Sequence, residues 1–159
     1  MSRVVYPGRR FAVDIMLGKL AKWLRVLGFE ARSLLLSRPF IDSLLSEGVI
    51  PVTRQVKFRD IEGVLFVQSD HHLEQLRELI SSLGITTREL RPFSRCSICN
   101  TELIGISAEA AFGAVPDYVL ETYSYFRKCP KCARVYWSGS HRQRMLDKLR
   151  DLGIEGFRD

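Results

Sequence analysis

The chain has 159 residues, enough for one domain with a full core, or for a domain of roughly 90 residues carrying a small module that needs outside support. Lys and Arg number 24 against 18 Asp and Glu, a net charge of +6 that favours an anionic partner such as RNA, DNA or acidic lipid and is equally compatible with plain solubility. No apolar run approaches the roughly 20 residues of a membrane span, and the basic start at Arg3, Arg9 and Arg10 lacks the apolar core of a secretory signal, so a cytoplasmic chain with no membrane contact is expected.

Phe11-Ala-Val-Asp14 predicts a short buried strand that ends in an acid. Ile15 to Leu27 follows as an amphipathic helix, with Leu17, Leu20, Leu24 and Leu27 on its apolar stripe and Gly28 at the C-cap. Spacings of three place Lys19, Lys22 and Arg25 on one face, as phosphate contacts or as a solvated surface. A strand near 31–36, a helix from about Pro39 to Glu47, strands at 49–53 and 64–68, and a helix from about Leu73 to Leu83 stopped by Gly84 continue the pattern. Pro51 has no N–H to give a ladder, so its strand is expected at a sheet edge, or shorter than its apolar run.

Strands alternating with helices predict an α/β fold with a parallel sheet, whose carboxyl ends gather polar residues in one crevice. Asp14, Thr53-Arg54-Gln55 and Ser69-Asp70 all fall at such ends. For Asp14 the alternative is a cap on the following helix, since Asp is a favoured N-cap. His71 and His72, opening a helix beside Asp70, read as exposed residues, with phosphate contact as the sharper reading.

Residues 85–95 form a crossover into a second module. Cys96-Ser-Ile-Cys99 and Cys129-Pro-Lys-Cys132 are separated by 29 residues, and two such pairs in a reducing compartment suit a ribbon whose hairpins present four thiolates to a structural zinc. With every position filled by sulfur the ion has no open site, so it serves folding, and His141 is not required as a ligand. A closing helix, His141 to Leu152, carries Met145, Leu146, Leu149 and Leu152 at helical spacing for packing. Trp23, Tyr136 and Trp137 read as core or module-joining aromatics rather than stacking platforms.

Asp14-x-x-Leu-Gly-Lys-Leu-Ala-Lys-Trp-Leu-Arg-x-Leu-Gly28, Thr53-Arg54, Ser69-Asp70 with Gln75-Leu76, Arg95-Cys96-x-x-Cys99-Asn100 and Arg134-Val-Tyr-Trp-Ser-Gly-Ser-His141 together resemble the Mut-seven C-terminal RNase domain family. The resemblance runs from about Arg10 to Met145. It implies a PIN-like nuclease domain over 10–90 and a zinc ribbon with closing helix over 91–159. It also implies hydrolysis of RNA by acids that bind magnesium or manganese. Asp14 matches the first family acid and Asp70 the last. Gln55 stands where the family commonly has Asp, and an amide is a poorer ligand for a hard cation. Counting back from Thr53 puts Ser37 at the remaining acid position, with Asp42 five residues later as a substitute. The resemblance thus nominates Asp14 and Asp70, with Asp42 as the substitute acid, for catalysis and RNA as partner; Lys19, Lys22, Arg25 and Arg54, which by pattern ring the crevice or form a solvated face, would be its contacts. The rival readings are a non-catalytic RNA- or ribonucleoprotein-binding module and a zinc-ribbon adaptor for a protein partner.

Overall fold

The computed structural model describes residues 8–156; Arg3 and the last residues of the closing segment, 157–159, lie outside the described residues. Four strands, β1 (Arg10–Asp14), β2 (Glu30–Leu34), β3 (Val49–Thr53) and β4 (Leu65–Phe66), form an all-parallel sheet in the order β2-β1-β3-β4. The helices α1 (Gly18–Val26), α2 (Arg38–Ser46) and α3 (His72–Leu83) cover it. The expected α/β architecture is therefore present.

Strand alternation assigns the two faces. Phe11, Val13 and Val52 enter a core shared with Leu20, Leu24 and Leu27 of the α1 segment and with Leu76 and Leu79 of α3. Ala12 and Val49 turn to the opposite face against Ile41 and Leu44 of α2 and Phe58. The chain leaves β1 to one side for β2 and then crosses to the other side for β3. The carboxyl ends of β1 and β3 thus meet at the topological switch point, where open α/β sheets form their crevice.

Pro51 does not mark an edge: β3 is interior, five residues long, and pairs Pro51 with Ala12 of β1. The Thr53 carbonyl accepts the Val67 N–H, so residue 51, two positions earlier, also turns its backbone groups towards the β4 flank. There β4 pairs only with Val52 and Thr53, and the missing N–H meets no ladder. The predicted strand over 64–68 is correspondingly only two residues long. The segment after β1 begins as a 3-10 turn (Ile15–Leu17) before α1.

Gly28 ends the α1 segment at φ +96°, and a Cβ there would stand 2.4 Å from the Arg91 carbonyl oxygen. This close approach lets Arg91 N–H reach Leu27 O and Phe93 N–H reach Val26 O, seating the crossover against the helix. The second module holds an antiparallel sheet of β5 (Ile104–Ile106), β6 (Phe126–Lys128) and β7 (Val135–Tyr136). Two short helices, α4 (Ala108–Ala111) and α5 (Asp117–Thr122), lie between β5 and β6 and close a small core of Ala111, Val115, Val119 and Phe126. The closing helix α6 (Ser140–Asp151) sets Leu149, with Ile154 beyond it, into the core shared by α1 and α3.

Candidate functional site

Asp14 is wholly buried at the tip of β1, and its carboxylate does not cap the following turn. Oδ2 accepts from the Thr53 hydroxyl at 2.7 Å and from the Gln55 side-chain amide at 2.6 Å, while Oδ1 has no hydrogen-bond partner. Thr53 Oγ1 in turn accepts the Gln55 backbone N–H at 3.0 Å. The amide must face the acid through its nitrogen, because its oxygen would oppose a negative oxygen. Gln55 therefore presents a partial positive charge to Asp14 Oδ2.

The orphaned Oδ1 is the kind of atom a cation satisfies, but the donor set does not build a cage around it. Among the described residues, the four cysteines are the only group of three or more acid, His or Cys donors lying within 4.8 Å of one another. Asp42 projects from α2 at the surface, 3.4 Å from Arg38 Nε, and lines a shallow hollow with Asp60 and Glu62. Ser37 is the α2 N-cap residue in extended conformation and its side chain makes no cap bond. Asp70 is exposed in the turn before α3.

That turn is held by residues the sequence reading did not nominate. Glu78 accepts the backbone N–H groups of Gln68 and Ser69 at 2.7 and 2.8 Å, and buried Gln75 donates to Ser69 O at 2.8 Å. The signal for Gln75 was its place beside Leu76 in the quoted motif; Glu78 carried none, because an acid on an exposed helix turn is unremarkable by pattern. His71 caps α3 through Nδ1. Burial first, then the positive charges of His71, Lys19 and Lys148, push His72 below its ordinary value.

The four predicted basic contacts separate. Lys19 and Lys22 are exposed on α1, and Arg54 is exposed with Nη2 on Gln68 O at 3.1 Å. Arg25 instead turns inward, donating to Ala31 O at 2.8 Å and to Ser97 O at 3.0 Å. Asn100 completes this clasp by accepting the Ala31 N–H at 2.9 Å.

The cysteines form two matching knuckles. In each, the first cysteine's carbonyl accepts from the residue four positions on (Asn100, Ala133), and its N–H donates to the carbonyl five positions on (Thr101, Arg134). Asn100 and Ala133 both adopt positive φ, 64° and 63°, to allow this. A tetrahedral zinc about 2.3 Å from each sulfur sets S···S edges of about 3.8 Å, and Cys96 and Cys132 stand 3.8 Å apart. Tyr136 Oη lies 3.1 Å from Cys96 Sγ. Burial pushes the Cys96 thiol up, but the Tyr136 hydroxyl and the N–H groups of Cys99 and Ile98 outweigh it and bring the thiol down to about 6. The four sulfurs fit a thiophilic tetrahedral ion with no position left open, so His141 is not needed.

The Mut7-C RNAse domain model matches residues 9–149, nearly the whole chain. The chain belongs to the Mut7-C RNAse domain family. Membership accounts for both halves together, since the match runs unbroken from β1 through the cysteine knuckles into α6. Comparison with curated proteins and with solved structures gave no match. Among the described residues no helix is long and apolar enough to cross a membrane.

Proposed function

We propose that this Mut7-C RNAse domain protein binds RNA and is an attenuated nuclease, with a structural zinc in the ribbon and Asp14 as the anchor of an incomplete acid site. The observation that carries the reading is the Gln55 amide on Asp14 Oδ2. A carboxylate there would add a full negative charge beside Asp14, as hard cations favour, whereas the amide adds only a neutral donor that occupies Asp14 Oδ2. Family membership supports RNA as the substrate class, and the surplus of six positive charges supports retention of a polyanion. Asp70 and Asp42 are the acids available to assist, each from an exposed position. Lys19, Lys22 and Arg54 are the cations free to meet phosphate near the crevice, while Arg25 supports the ribbon.

The test measures RNA binding and cleavage side by side in zinc-replete buffer, with and without manganese. Binding that weakens with salt and slow cleavage that rises in the Gln55→Asp variant are expected. Fast cleavage by the parent, unchanged in that variant, would overturn attenuation; no binding of any RNA would overturn the reading as a whole. A chain whose metal analysis shows no zinc while it folds normally would remove the structural ion.

A further inference from the structure

A cleft of about 790 Å3 opens where the ribbon meets α1 and α6, at the roomy end of the roughly 300–1,000 Å3 of small-molecule sites. Five Lys or Arg and six aromatic side chains line it, and no Asp or Glu does, although the chain has 18 acids. Tyr118 of α5 and Tyr125 before β6 are 66% and 60% exposed, so two large rings on this wall face solvent. Arg127 lies over the Tyr125 ring at 5.4 Å and donates to Phe93 O at 2.7 Å, which holds the ring in place. Lys22 and Arg134, also on the wall, have no acidic partner among the described residues.

We propose that this cleft is a binding site for single-stranded RNA, with unpaired bases stacking on Tyr118 and Tyr125 and phosphates held by Lys22 and Arg134. The inference rests on the reading that the chain handles RNA, and adds where it does so and in which form. Exposed rings between cations suit unpaired bases, which offer both a π-face and a phosphate, whereas in a duplex the base faces are already stacked on one another. An acidic protein segment would satisfy the cations and leave the rings bare. Lys22 lies about one helical turn beyond Lys19 on α1, and α1 follows directly from the Asp14 turn, so the basic face links the cleft to the crevice. The floor is built on the ribbon itself: Ser97 and Ile98 of the first knuckle line it, as does Tyr136, bonded to Cys96 Sγ.

The experiment uses the full zinc-loaded chain and a labelled 12-nucleotide RNA, single-stranded or annealed to its complement, without magnesium or manganese. Anisotropy gives affinity. Tryptophan fluorescence gives location, because Trp137 lines the cleft while Trp23 is buried in the main core. The single strand should bind at least about tenfold tighter than the duplex and quench Trp137, the size set by base stacking on aromatic rings. Tyr118→Ala and Tyr125→Ala should each weaken binding on the order of tenfold, Tyr118→Phe should not, and Arg134→Ala should lower the salt slope. Both tyrosines are exposed, so unchanged zinc content and circular dichroism confirm intact variants. RNA affinity that survives the double Tyr→Ala change with no quenching overturns the cleft and leaves RNA handling standing. Equal binding of duplex, or tighter binding of polyglutamate than of RNA, also overturns it, and no binding of either RNA removes both readings.

Discussion

Replacing Gln55 by Asp tests the crevice at its deciding contact. The present amide gives the buried Asp14 a hydrogen bond of 2.6 Å, and bonds to charged groups contribute about 1.5–3 kcal/mol. Aspartate removes that donor and sets a second negative charge beside the first, a repulsion of roughly 4 kcal/mol at 4 Å and an effective dielectric of 20. Proton or cation uptake relieves part of this, so the metal-free variant should be less stable by about 2–4 kcal/mol. A cation that binds only the folded variant returns about 2.7 kcal/mol at a hundred times its Kd, which in a chain of this size is a rise of about 5–10 °C in Tm. The parent, its acid already supplied with two neutral donors, should shift by less than about 2 °C. The assay is thermal unfolding with and without manganese in zinc-replete buffer, paired with cleavage of an end-labelled RNA, with Asp14→Asn as the inactive control. An equal manganese shift and equal cleavage in parent and variant would refute the argument that Gln55 weakens the site.

Gly28→Ala should destabilise by about 2–4 kcal/mol in urea titration, combining a left-handed backbone with a clash against the Arg91 carbonyl; a loss below about 0.5 kcal/mol would show that the crossover yields easily. Arg25→Ala should leave RNA affinity nearly unchanged but speed zinc release to a chromogenic chelator, since its guanidinium clasps Ser97 O rather than facing solvent; a large loss of RNA binding with normal zinc retention would make it a phosphate contact instead. The metal-free ribbon should lose stability in acid. The Cys96 thiol is lowered from 9.0 to about 6 on folding, so its contribution is complete above the unfolded value and disappears as pH falls through about 6. Cys99, raised to about 12 by burial and then by its sulfur neighbours, has the opposite sign and loses its contribution as pH rises through that value. Melting the metal-free chain between pH 5 and 8.5 checks the first of these, and a Tm falling across that range would contradict it.

The sequence alone determined the features that local chemistry controls. The leucine stripe and Gly28 bounded the first helix, Gly84 stopped α3 in the left-handed conformation, and the spacing of the paired cysteines pointed to the cluster the four sulfurs form. The acid Asp14 was likewise legible as a strand-end residue, and it stands at the carboxyl tip of β1. Tertiary structure decided what depends on neighbours distant in sequence. Pro51 sits in an interior strand because β4 is too short to need its donor. Arg25 belongs to the ribbon clasp although its spacing groups it with Lys19 and Lys22, for a helix pattern fixes a face but not what packs there. Trp23 packs in the main core as expected, while Tyr136 and Trp137, expected as core or module-joining residues, also line an acid-free cleft, since residues from α1, the first knuckle, α5 and β7 meet only in the folded chain. Asp14 follows the same division: the pattern put an acid at a strand end, and only the fold brought the Gln55 amide onto its carboxylate.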